Sequence, residues 1–365
     1  MSNFERELEQ RSFETHQRTA KQLIHITDRL TPSVSTFSHI DEHERRRDER
    51  YIQSREKSFA NGEESTYHAK ALESLMMVGI AQGRWFNDPS NDTYRAEPIF
   101  TTRLDDISNR LDAAATVHAN AESNNDHETA DLTFGIDLTT SSDPSTIRDK
   151  LLISSNNPDL GLPVGFTEMK YYRDRAGVED SRNIPRYCIG ISRDSIDGCL
   201  DKVTIRPDGS ILVDRSADSI TQFKILYEMS LQNGLYEAPL IQKDEDESIS
   251  EDEAKLLHRM ELLDNIYLHE LGRVAKRLPL YALQDGAVKK NGAYDYEQIA
   301  KNLVESTEDR TFAAIVHETQ TLTDEFYESD DVDHLQHEAE ATREAKRRNR
   351  RYGSATLDTA VKVAS

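Results

Sequence analysis

Apolar and polar positions along this chain change period twice, and the changes divide it into three stretches. Over residues 1 to about 60 the apolar residues are sparse and helix-spaced. Leu23, Ile24, Ile26 and Leu30 make one short stripe, which Thr31-Pro32-Ser33 breaks. A broader helical face follows over 65–82, carried by Ala69, Leu72, Leu75, Met76 and Val78, and Gly83 ends it. Trp85 and Phe86 read as core anchors beside a turn-rich link through Asn87-Asp88-Pro89. From about residue 99 to 192 the spacing predicts strands: 111–118, 132–139, 166–172 and 186–192, with a helix over 145–153 opened by Ser142 or Asp143 and Pro144. The order helix, strand, strand, helix, strand, strand implies an α/β core. Beyond it the pattern predicts a small hairpin turning at Pro207-Asp208-Gly209, then helices over 218–233, 253–277, 296–304 and 308–351. The resulting division is a charged helical arm (1–64), an α/β domain (65–240), a helical extension (241–352) and a loose tail (353–365).

Composition adjusts this picture in two places. Hydrophobic residues make up 36% and charged residues 31% of the 365, too polar for a compact enzyme throughout, so part of the length is expected as exposed helix. The dense mixed charges of 41–50 fit a solvated or partly disordered arm. No window approaches the run of about 18 apolar residues of a membrane helix, and the acidic start does not resemble a secretory leader. No membrane partner and a cytoplasmic location are expected. Two cysteines, Cys188 and Cys199, supply neither a disulfide framework nor a zinc site and are expected as buried thiols. A net charge of −22 repels nucleic acid at long range without excluding a local basic groove.

Candidate chemistry concentrates in the strand region. Period-2 alternation over 132–139 puts Thr133, Gly135, Asp137 and Thr139 on one face, with Gly135 allowing close packing. An acid near the end of so apolar a strand is costly without a cation, hydrogen bonds or water. In 166–172, Glu168 and Lys170 share a face and can share a pocket. Asp112 starts the strand after an acid-rich stretch and can point to the same end of the sheet as Asp137. Glu73 lies mid-helix among apolar neighbours, facing inward or at the core margin.

This set resembles the PD-(D/E)XK nuclease superfamily, over about residues 70–195. The resemblance implies a small mixed sheet of restriction-endonuclease-like type in an αβββαβ core, with helical N- and C-terminal extensions. It also implies Mg²⁺ as cofactor and hydrolysis of phosphodiester bonds in nucleic acid. Two registers fit. In one, Asp137 is the lone aspartate and Glu168-Met169-Lys170 the triplet. In the other, Asp112 is the lone aspartate, Asp137-Leu138-Thr139 stands in the triplet's place, and Lys170 comes from the neighbouring strand. Topology favours the second. The resemblance then implies Asp112 and Asp137 as metal ligands, Glu168 as ligand or supporting acid, Lys170 orienting water or stabilising charge, and Glu73 supporting from the helix. On this reading Asp137→Ala abolishes Mg²⁺-dependent cleavage and leaves the fold intact. Plainer alternatives are an exposed ion pair for Glu168 and Lys170, a turn acid for Asp112 and a helix-surface acid for Glu73. At the level of the whole chain, the alternatives are a non-catalytic scaffold binding a protein partner through its charged helices, or a degenerate nuclease that no longer cuts. His334 and His337 share a helix face but sit in a polar helix. The basic run Arg343–Arg351 can grip a nucleic-acid backbone or an acidic partner, or offset the acidic remainder of the chain.

Overall fold

The computed structural model describes residues 3–59, 64–83, 85–87, 94–120, 129–152, 165–174, 176–206, 211–213, 219–245 and 248–328. The hairpin turn at Pro207-Asp208-Gly209, His334, His337, the basic run 343–351 and the tail lie outside the described residues. Among those described, no helix is long and apolar enough to cross a membrane.

A five-stranded mixed sheet forms the centre. The helix α3 (Glu64–Ala81) leads into β1 (Tyr94–Ile99), the short α4 (Arg103–Asn109), β2 (Ala113–Asn120) and β3 (Thr129–Thr139). Then come α5 (Pro144–Leu152), β4 (Phe166–Arg173), β5 (Glu179–Gly190) and α6 (Arg193–Leu200). The strands lie in the order β1-β2-β3-β5-β4. The first three form an antiparallel meander, β5 runs parallel to β3, and β4 pairs antiparallel with the outer side of β5. A right-handed crossover such as a helix is the usual means of bringing a strand back parallel, and α5 lies in the connection that does so here. β6 (Val203–Ile205) and β7 (Ile211–Val213) pair as a separate hairpin.

Alternation along β2 and β3 sends Ala113, Ala115, Val117, Leu132, Phe134, Ile136 and Leu138 into one continuous core. Helices α3, α7 (Ser219–Glu245), α8 (Glu251–Ala275), α9 (Tyr296–Thr307) and α10 (Arg310–Glu328) contribute to it as well. Phe86, Phe134, Tyr187 and Tyr267 meet edge to face, with centroids 5.4–6.1 Å apart, the arrangement that ring quadrupoles favour. β5 outruns β4 at its C-terminal end, and α7 caps the open edge. Gln232 accepts from the Cys188 N–H and donates to its carbonyl, both at 2.7 Å, and Glu228 accepts from the Gly190 N–H at 3.1 Å. Helix α8 begins in a Ser250/Glu253 capping box.

The N-terminal segment differs from the solvated arm expected of it. The helix α1 (Asn3–Leu30) buries Ala20 and Leu23 in the main core, and α2 (Glu42–Phe59) packs on α4 and reaches the outer strand β4 through Asp48, which accepts from Lys170 and Tyr171. Val34 and Phe37 pack with Leu104 and Tyr171, and Ile40 and Ile52 lie against them. These apolar residues are too widely spaced to give a periodic stripe.

Candidate functional site

Asp112 and Asp137 are brought together by the β2–β3 hairpin. The ladder pairs Ala113 with Ile136, so one further step sets Asp112 opposite Asp137. The Leu138 N–H donates to Asp112 Oδ2 at 2.6 Å and extends the pairing past the last strand residue. Two local features aim Asp112. Arg110, at φ 54°, turns the chain out of α4. Gly135 leaves the space that Leu111 fills: a Cβ there would lie 2.2 Å from Leu111 Cδ2.

Asp137 is only 3% exposed and has a cation on each oxygen. Lys150, from the last turn of α5, bonds Oδ1 and donates to the Leu138 carbonyl at 3.2 Å. Arg186, on β5 and itself 1% exposed, donates from Nη1 to Oδ2 at 2.7 Å. Its other terminal nitrogen donates to the Lys150 carbonyl, tying α5 to the sheet. Burial alone would lower the Lys150 pKa, but the neighbouring Asp137 carboxylate outweighs it and the ammonium is held above its ordinary value.

Two more carboxyls close the group. Glu73 comes from α3, and Asp106 comes from α4, where Arg103 Nη1 bonds it at 2.5 Å. Burial, then the fields of Asp137 and Asp106, push the Asp112 carboxyl up from the ordinary range. Glu73 is raised well above its range by burial, then by Asp112 and Asp106. Asp106 is raised by burial against the pull of Arg103 and Lys70. Among the described residues neither Asp112 nor Glu73 makes an ion pair. The site is thus a carboxylate cluster in which Asp137 is saturated with cations and its neighbours are not.

Glu168 and Lys170 do not join it. β5 lies between β3 and β4, so the strand that bears them is not the neighbour of Asp137 that either register requires. Lys170 Nζ instead binds Glu44 Oε1 at 2.7 Å and Asp48 Oδ2 at 2.6 Å of α2. Glu168 is half-buried beside them, and burial, against the pull of Lys170, raises its carboxyl. The lysine that reaches Asp137 is Lys150, which the sequence reading did not single out. Its only signal was its place in an amphipathic helix directly after the Asp137 strand, beside the buried Ile147, Leu151 and Leu152. Arg186 was read only as the start of a strand. Asp137→Ala is not neutral for the fold either, because it would strand Arg186 in the interior.

Other titratable side chains among the described residues serve the structure. Burial pushes the Cys188 thiol up to about 12, well away from a reactive thiolate. His269 meets the Tyr94 hydroxyl at 2.8 Å, and the exposed His258 lies 3.6 Å from Glu261. Among the described residues no group of three or more His, Cys, Asp or Glu side chains is arranged to hold a metal ion. No family model matches the sequence, and no significant match emerged among curated proteins or solved structures.

Proposed function

We propose that the chain is a divalent-metal-dependent phosphodiesterase acting on nucleic acid, with a PD-(D/E)XK-like site in a restriction-endonuclease-like sheet. One observation carries the reading: Asp112 and Asp137 face each other across a hairpin, with Glu73 from the preceding helix and Lys150 from the following one. The succession α3, β1, α4, β2, β3, α5, β4, β5 supports it, since it contains the αβββαβ order with the short α4 inserted after β1 and β4 added as an outer hairpin strand.

The donor set fits Mg²⁺ in kind. Asp112, Asp137 and Glu73 offer hard carboxylate oxygens; Asp112 and Glu73 are raised first by burial and then by neighbouring carboxyls, and a divalent ion beside them would favour their charged forms. Such an ion supplies activation of a water and stabilisation of charge on the phosphate. The chain's own residues do the rest. Asp112 and Asp137 would hold the ion, with Glu73 behind them. Lys150 stays charged and stands at Asp137, where it can stabilise negative charge developing on a phosphoryl group. Arg186 fixes the Asp137 carboxylate in one orientation from the buried side.

The competing reading is a scaffold or a degenerate nuclease that no longer cuts. The saturation of Asp137 by Lys150 and Arg186 favours it, since an ion using Asp137 must displace Lys150 from one oxygen. Incubating the full chain with plasmid DNA, single-stranded DNA and RNA in Mg²⁺, Mn²⁺ or EDTA tests the two. Metal-dependent cleavage lost in Asp112→Asn and in Lys150→Met supports the enzyme. Absence of cleavage in wild type, together with no metal binding by calorimetry, sinks it.

A further inference from the structure

Two cations border the carboxylate cluster on the side of α4. Arg103 opens that helix and bonds Asp106. Lys170 lies beside it, its backbone N–H donating to Asp105 Oδ1 at 2.9 Å. Both are taken by acids of the N-terminal arm. Lys170 binds Glu44 and Asp48, and Arg103 binds Glu56 Oε1 at 3.4 Å, with Asp28 of α1 adding to its field. Tyr171 also donates to Asp48 Oδ2, at 2.7 Å. Glu44, Asp48 and Glu56 lie on one face of α2 at steps of four residues, with Ile52 filling the remaining step. Each step is about 6 Å along the axis. The face turned to the protein is therefore a row of negative charges. Arg46, 69% exposed, pairs with Glu42, whereas Arg47, 64% exposed, reaches the rim of this face, 3.3 Å from Glu44 Oε1 and 3.9 Å from Asp48 Oδ1.

The arm also narrows the approach to the acids. α1 supplies Ile24, Thr27 and Asp28 to a cleft shared with Lys70, Glu73 and Asp106, whose volume is about 10 Å³. That is room for about one water, not for a phosphodiester.

We propose that the acidic face of α2 occupies a phosphate-binding surface formed by Arg103 and Lys170, and that a nucleic-acid backbone displaces it to reach the carboxylate cluster. This rests on the phosphodiesterase reading of the site. The arm's carboxylates stand where phosphates would stand, so the resting chain masks its own affinity, in keeping with its net charge of −22.

The test measures binding, not cleavage. The full chain and the variant Glu44→Gln/Asp48→Asn/Glu56→Gln are titrated with a fluorescent single-stranded oligodeoxynucleotide in EDTA. A control variant, Glu251→Gln/Asp252→Asn/Glu261→Gln, changes net charge equally at exposed positions of α8. Freeing two cations should tighten binding on the order of tenfold over the control. It should also steepen the dependence of log K on log salt by about 1.4, at about 0.7 per phosphate on a single strand. In wild type, the oligonucleotide should speed amide exchange in residues 42–59. Binding no tighter than the control, or slowed exchange in α2, overturns the proposal. The exchange measurement decides alone if the triple variant does not fold. Tighter binding without cleavage in Mg²⁺ or Mn²⁺ by wild type or variant would instead refute the phosphodiesterase reading and leave the mask standing.

Discussion

Asparagine substitution at the two facing aspartates should change stability in opposite directions. At Asp112 the carboxyl is raised by burial and by two neighbouring carboxyls, and it has no ion-pair partner among the described residues. A raised carboxyl costs the fold about 1.4 kcal/mol for each pKa unit that separates folded from unfolded chain, once the pH exceeds both values. Asp112 is partly exposed, so about 2 kcal/mol is a reasonable share. Asparagine keeps an oxygen for the Leu138 N–H and removes the charge, so Asp112→Asn should stabilise the metal-free chain by about that amount. At Asp137 the sign reverses. Its carboxylate neutralises Arg186, which is 1% exposed, and Lys150. Removing one partner of a buried pair costs about 3–5 kcal/mol, so Asp137→Asn should be strongly destabilising. Urea denaturation in EDTA at pH 9, above the value of about 8 to which Asp112 is raised, followed by fluorescence of the single tryptophan Trp85, which is buried against α3, reads both. Both substitutions should also abolish metal-dependent cleavage. A destabilised Asp112→Asn would refute the view that like charges strain this cluster, and with it the reason to expect a divalent ion there.

The remaining predictions address the rest of the site and the fold. Lys150→Met should abolish cleavage, whereas Lys170→Met should leave the cleavage rate per bound substrate unchanged; equal losses in single-turnover assays would restore Lys170 to the site. The metal-free chain should gain stability as pH falls from 8 toward 5. Burial raises Asp105 to about 6 and also raises Glu73 and Asp112, so the folded chain holds these protons more tightly than the unfolded one. Glu253, lowered to about 2 chiefly by its Lys243 partner, acts in the opposite sense, and its contribution is lost only as pH falls below the ordinary glutamate range. A thermal midpoint that drops steadily between pH 8 and 5 would contradict that sign. Gly135→Ala should cost about 1–3 kcal/mol, because the new Cβ meets Leu111, which is fully buried and cannot swing clear; unaltered stability would mean that Leu111 does not fix Asp112. Lys224→Met should cost about 3–5 kcal/mol, since it leaves Asp309 buried without its cation at 2.9 Å; a neutral outcome in urea denaturation would contradict the pairing.

The strands that carry the site were legible because their two faces differ. Alternation over 132–139 is strict enough to put Asp137 opposite the apolar face, and the hairpin argument gave Asp112 its place beside it. What was not legible is the order of strands. The run 166–172 has the same local pattern whether it lies beside β3 or outside β5. Its pairing is decided by the length of β5, whose N-terminal half, from Glu179, is too polar to read as a strand. β1 was missed for a related reason: its Arg95, Glu97 and Pro98 break the apolar pattern, although its backbone pairs fully with β2.

That one uncertainty accounts for the exchange of lysines. With β5 inserted beside β3, a cation for Asp137 must come from β5 itself or from the helix that crosses between the parallel strands. The structure uses both, Arg186 from the first and Lys150 from the second. Lys170, left on the outer strand, does not reach Asp137 and pairs with Glu44 and Asp48 of the arm. The Glu168-Met169-Lys170 triplet therefore reads differently once the topology is known. A short motif fixes the spacing of charges along one strand, but which of them meet is set by strand order, which local spacing does not encode. The same step turns the acid-rich helix α2 from a solvated arm into a neighbour of the site. Its acids have a destination because β4 carries a lysine and, among the described residues, is an edge strand with no strand beyond it.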